Sequence, residues 1–112
     1  MSVRGSFHFR LTSAGNLLGE YFNNYGNIIS SESTNRIDQG SGFVGTFITS
    51  WIENGQEAII TNLEIQPTIN NNMFTLIWTD LKGKVTFQGK ASLLEENIIY
   101  GYYSGEQFIQ EH

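Results

Sequence analysis

Two tryptophans, a tyrosine and an aspartate fall on alternating faces that bring chemistry together. Trp51 shares its face with Phe43, Gly45, Phe47 and Thr49, and Trp78 shares its face with Phe74, Leu76 and Asp80. Tyr21 and Asn23 continue the face begun by Leu17 and Gly19. Indoles beside a phenol and a primary amide suit a flat or aliphatic ligand, held by dispersion and oriented by a few hydrogen bonds. Asp80 is the carboxylate on such a face. It can cap a turn, orient a ligand N–H, or act as a base with a raised pKa. His8 is the one histidine ahead of the terminal His112 and lies on a polar face, while Glu53, Glu95 and Glu96 lie in turn sequences. With no cysteine and no histidine grouped with acids, the chain offers no thiol nucleophile, no Ser-His-Asp arrangement and no metal-ligand set. The expectation is binding rather than catalysis, with no cofactor.

These side chains must be positioned by strands. Apolar residues alternate with polar ones along Val3, Phe7, Phe9 and Leu11, and again along Val85, Phe87, Gly89, Ala91 and Leu93. No window of useful length shows helical spacing. Eight strands are predicted, at about 3–12, 17–24, 27–37, 42–52, 57–66, 73–80, 84–93 and 97–104. Turn chemistry separates them: Ser13-Ala14-Gly15-Asn16, Asn54-Gly55, Asn70-Asn71-Asn72, Lys82-Gly83 and Glu95-Glu96-Asn97. The third strand, through Ser30-Ser31-Glu32-Ser33-Thr34-Asn35, is poorly patterned and reads as an edge or partly a loop. Short connections without crossovers imply an antiparallel meander. A flat meander leaves two exposed edges, which closure into an eight-stranded up-and-down barrel removes. A two-sheet sandwich is the alternative, but it calls for a long connection that the sequence lacks.

Composition agrees with one all-β domain. The chain has 112 residues, twelve Gly, one Pro and a formal charge of −5, and only 15% of positions are charged. Six basic residues, of which only Lys82, Lys84 and Lys90 lie near one another, argue against a nucleic-acid partner. No stretch approaches the ~18 apolar residues of a membrane span, and no signal peptide precedes the first strand-like sequence. Gly19, Gly45, Gly89 and Gly101 on inward faces favour room for a ligand, against the alternative of an interior filled by side chains. Val44, Ile48, Ile52, Met73, Ile77, Ile98, Tyr100 and Tyr102 make the opposite faces apolar as well. That pattern predicts a homo-oligomer packed through strands 4, 6 and 8, with Tyr100 and Tyr102 as anchors.

The first hairpin, Gly5-Ser6-Phe7-His8-Phe9 through Gly15-Asn16-Leu17-Leu18-Gly19-Glu20-Tyr21, resembles the early hairpin of the avidin and streptavidin family. Gly42-Phe43-Val44-Gly45-Thr46-Phe47-Ile48-Thr49-Ser50-Trp51 and Phe74-Thr75-Leu76-Ile77-Trp78 look like two later strands of that family. The resemblance covers about residues 6–80. It implies an avidin-like barrel, close in kind to the lipocalins, that assembles into oligomers and holds biotin or a biotin-like ligand in its mouth. Carried over, Tyr21 and Asn23 sit near the ligand's polar head, Trp51 and Trp78 flank its apolar body, and Ser6 joins the site; Asp80 is added to it by its place on an inward face, not by the resemblance. An inward Ser6 needs a bulge, because alternation sets it opposite Phe7 and Phe9. The family's closing-strand motif has no counterpart in 84–104. The expected function is therefore a non-enzymatic small-molecule-binding barrel for a biotin-like or other hydrophobic ligand. The alternative is an oligomeric structural or protein-interaction barrel with a filled core.

Overall fold

A computed structural model describes residues 2–24, 29–52 and 58–106. It contains eight strands: β1 (Ser2–Leu11), β2 (Leu17–Asn23), β3 (Ser30–Arg36), β4 (Gly45–Ile52), β5 (Ala58–Pro67), β6 (Met73–Thr79), β7 (Val85–Glu95) and β8 (Ile98–Glu106). Each pairs antiparallel with its sequence neighbours, and β1 pairs with β8, so the sheet closes into an up-and-down barrel. Closure leaves every strand paired on both sides, which excludes the sandwich.

Period-two alternation becomes an inside and an outside. Phe7 and Phe9 on β1, Leu17 and Tyr21 on β2, Phe47 and Trp51 on β4, Leu63 and Ile65 on β5, and Leu76 and Trp78 on β6 are buried. Their neighbours in sequence face out. The inward glycines do not open space. A side chain at Gly19 would meet the Phe9 ring, and one at Gly89 or Gly101 would meet backbone of the adjacent strand. Their room is taken by rings and by close strand approach.

The turns follow their chemistry. Gly15 and Gly83 adopt φ of 85° and 91°, the left-handed region that glycine enters at little cost. Gly42 adopts φ 75°, and residues 42–44 precede β4, so this strand starts later than its sequence pattern predicts. The Asn54-Gly55 turn lies outside the described residues. β3 is a full member of the barrel, paired to both β2 and β4 rather than an edge. Strands 4 and 8 stand on opposite sides of the closed sheet, so the apolar outer residues of strands 4, 6 and 8 do not form one continuous surface.

Candidate functional site

Four rings form a closed circuit at the end of the barrel where β2, β4 and β6 finish. Tyr21 meets Trp51 (centroids 6.4 Å apart, planes at 73°), Trp51 meets Phe87 (6.0 Å, 63°), Phe87 meets Tyr103 (5.6 Å, 86°), and Tyr103 meets Tyr21 (6.3 Å, 81°). Each ring stands steeply to the next, the preferred arrangement for aromatic quadrupoles, so together they make the walls of a box. Phe7 and Trp78 brace it through Tyr103. The register explains the gathering: Phe7 pairs with Tyr21 across β1–β2, and Trp78 pairs with Phe87 across β6–β7.

Glu32 lines the same cavity as these rings. It sits on the inner face of β3, directly across from Trp51 on β4, and is 6% exposed. The Thr49 hydroxyl donates to its Oε2 at 2.5 Å, and the Trp78 indole N–H donates to the same oxygen at 2.9 Å. Thr34 and Thr49 hydroxyl oxygens lie 2.8 Å apart. Since the Thr49 proton points to Glu32, Thr34 is the donor in that pair. Among the described residues both hydrogen bonds to Glu32 land on Oε2, and none lands on Oε1. Burial raises the Glu32 pKa from 4.5 to about 7, against the lowering effect of the Thr49 and Trp78 hydrogen bonds. No Lys, Arg or His shares the cavity wall, which comprises Phe7, Tyr21, Asn23, Glu32, Trp51, Trp78, Phe87 and Tyr103 among the described residues.

Of the residues expected at the site, Tyr21, Asn23, Trp51 and Trp78 do line the cavity. Asn23 donates its amide to the Tyr103 phenol oxygen at 3.3 Å. Ser6 does not join them. β1 runs without a bulge against β2 and β8, so with Phe7 buried Ser6 faces out, into a surface groove with Phe22 and Tyr102. Asp80 does not join them either. It lies past the end of β6 and its Oδ1 accepts the backbone N–H groups of Lys82 and Lys84, both at 2.9 Å. Those bonds, Lys84 first, lower its pKa and keep it an ionised turn cap. Glu32 was not among the expected site residues. Once closure is granted, every strand owns an inner face, and on β3 that face reads Ser30, Glu32, Thr34 and Arg36.

The other end of the same stripe is built differently. The Arg36 guanidinium lies over the Phe47 ring, 4.6 Å from its centroid. Its Nε donates to the Gly15 carbonyl at 3.0 Å, one terminal nitrogen donates to Asp38 at 2.9 Å and to the Val44 carbonyl at 3.2 Å, and the other donates to the Gly42 carbonyl. Arg36 thus ties the β1–β2 and β3–β4 connections together and closes that end.

The free volume in the box is about 20 Å³, room for about one water. Fold and site define a class: a closed eight-stranded meander barrel with loops tied by Arg36 at one end and an aromatic box holding a buried carboxyl toward the other. No family model, no curated protein and no solved structure matches the chain.

Proposed function

We propose that this protein is a non-enzymatic small-molecule-binding barrel whose ligand enters the box of Tyr21, Trp51, Phe87 and Tyr103 and meets Glu32. The observation that carries this reading is Glu32 itself. An interior carboxyl without an opposite charge costs several kcal/mol when ionised, and a purely structural core has no use for it. Aromatic walls with a few convergent polar groups are the usual make-up of a ligand pocket. Binding is favoured over catalysis because the wall carries no thiol, amine or imidazole beside the carboxyl among the described residues. The small free volume fits a compact headgroup, with the rest of the ligand reaching outward through the mouth. Biotin, suggested by the avidin-like hairpin, is one test ligand.

Trp51 and Trp78 are the only tryptophans in the chain, and both line the cavity. Their fluorescence therefore reports directly on the site. Titration with biotin and with small amines, amides and alcohols should change the emission and raise Tm, because a ligand that binds only the native state stabilises it. Unchanged emission and Tm across the whole set at millimolar ligand would defeat the reading.

A second reading is a homo-oligomeric interaction barrel with a filled core, supported by the small free volume and by the outer surface. Leu18, Phe22, Tyr100 and Tyr102 are exposed on β2 and β8, and Ile48, Ile52 and Ile60 on β4 and β5. The row Phe22–Ser6–Tyr102 crosses β2, β1 and β8 in register. Sedimentation velocity distinguishes the two: an oligomer weakened by Tyr102→Lys, together with no ligand response, would favour it.

A further inference from the structure

Resting on the binding role proposed above, we infer that the ligand of the aromatic box is an organic cation, with a primary ammonium head seated between the rings and Glu32. Three features of the site point the same way. The faces of Tyr21, Trp51, Phe87 and Tyr103 carry negative quadrupole potential, which attracts a cation and repels an anion. Glu32 is buried without a cationic partner among the residues lining the cavity, so the ligand supplies the missing countercharge. The free volume of about 20 Å³ matches a compact head better than a fused ring system. A net charge of −5 adds a field that draws cations to the mouth.

The hydrogen bonds are already arranged for this role. Thr34, Thr49 and Trp78 polarise toward Oε2, so that oxygen is occupied and Oε1 is left for the ligand. Among the described residues, the groups around Glu32 are Phe7 from β1, Tyr21 and Asn23 from β2, Thr49 and Trp51 from β4, Trp78 from β6, Phe87 from β7 and Tyr103 from β8. Among the described residues lining the cavity, the other titratable side chains are the phenols of Tyr21 and Tyr103. Glu32 is the one carboxyl among the described residues lining the cavity. An ammonium head binds the ionised carboxylate, and protonation near pH 7 competes with it.

The test uses the whole protein and a matched series: butylammonium, 1-butanol and butyrate. Binding is followed by Tm, tryptophan emission and the Trp78 indole N–H resonance, at pH 8 and pH 5.5. At pH 8 butylammonium should bind at least about tenfold tighter than butanol, and butyrate should not bind. At pH 5.5 the ionised fraction of Glu32 falls and cation affinity should drop by roughly thirtyfold. E32Q should abolish the preference for the cation; the pH comparison on the natural chain carries the same weight if that variant fails to fold. Butanol binding as tightly as butylammonium, or cation affinity unaltered at pH 5.5, would overturn the cation while leaving small-molecule binding standing. Silence toward all three probes and toward biotin would defeat both.

Discussion

Glu32 and Arg36 are four residues apart on the same face of the same strand, yet the barrel treats them in opposite ways. Arg36 is surrounded by acceptors: three backbone carbonyls, the Asp38 carboxylate and the face of Phe47. Glu32 receives two hydrogen bonds, both on one oxygen, and no countercharge among the described residues. The titration directions record the difference. Arg36, ahead of any other cause, holds the Asp38 carboxyl below its ordinary pKa, whereas burial holds Glu32 above its own. A charge fully provided for is a structural fastener. A charge left short is a place where the chain gives up stability, and such places are where binding energy can be gained.

The largest effect is expected at the plugged end. Arg36→Ala leaves the Gly15, Gly42 and Val44 carbonyls without their donor, leaves Asp38 with only the Gly40 and Thr46 N–H groups, and uncovers Phe47. The expected cost is about 3–5 kcal/mol in urea unfolding at pH 7. Arg36→Lys keeps the charge but not the fork, so it should recover only part of that loss. A loss below about 1 kcal/mol for Arg36→Ala would erase the contrast between the two ends.

At the mouth the sign reverses. The folded pKa of Glu32, about 7, lies above the ordinary 4.5, so the native state holds this proton more tightly than the unfolded chain does. Its contribution to stability is fully present below about pH 4.5 and is lost as pH rises through 7, by about 3 kcal/mol in all. Asp38 works the other way: the stability it lends is present above its ordinary 3.8 and is lost as pH falls below it. Glu32→Gln should abolish the loss on the alkaline side and make the protein more stable than the natural chain at pH 8, by roughly 10 °C in Tm. At pH 4 the two should melt together. Parallel pH profiles for the two proteins would mean that the carboxyl is not desolvated.

Sequence made the barrel legible and hid the carboxyl, for a physical reason. Strands such as Lys84–Leu93 carry their hydrophobic face plainly, and eight of them with short turns leave closure as the natural way to bury the edges. The positions of Trp51, Trp78, Tyr21 and Asn23 follow from the same alternation. β3 defeats that reasoning because its inner face, Ser30, Glu32, Thr34 and Arg36, is as polar as its outer face, so alternation has no contrast to show. Only pairing with β2 and β4 gives those residues an inside. Asp80 misled in the opposite direction. Simple alternation carries it inward, but β6 ends at Thr79, with a register shift between Trp78 and Thr79, and Asp80 turns to cap the next loop.

A smaller effect separates the carboxyl from its donors. Trp78→Phe keeps the packing against Phe7 but removes the indole N–H that reaches Oε2. Hydrogen bonds to charged groups contribute about 1.5–3 kcal/mol, and those to neutral groups about half as much. The variant should therefore cost more at pH 8, where Glu32 is ionised, than at pH 5. An equal cost at both would assign Trp78 to packing alone and weaken the view of the mouth as an electrostatic site.

The smallest expected change lies between the two ends, where Thr34, Thr49 and Thr61 sit side by side on β3, β4 and β5. The first two are joined to Glu32 by hydrogen bonds. Thr61 is 2% exposed, and among the described residues its Oγ1 is the one buried side-chain polar atom without a partner. Thr61→Val replaces that hydroxyl by a methyl of nearly the same shape. Removing an unsatisfied group should stabilise the protein by about 1 kcal/mol, at every pH from 5 to 8, because Thr61 has no bond to the titrating carboxyl. Destabilisation, or a gain confined to one side of pH 7, would show that the polar stripe extends to β5 and that Thr61 acts with Glu32. The border between the fastened end and the binding end would then fall one strand further round the barrel.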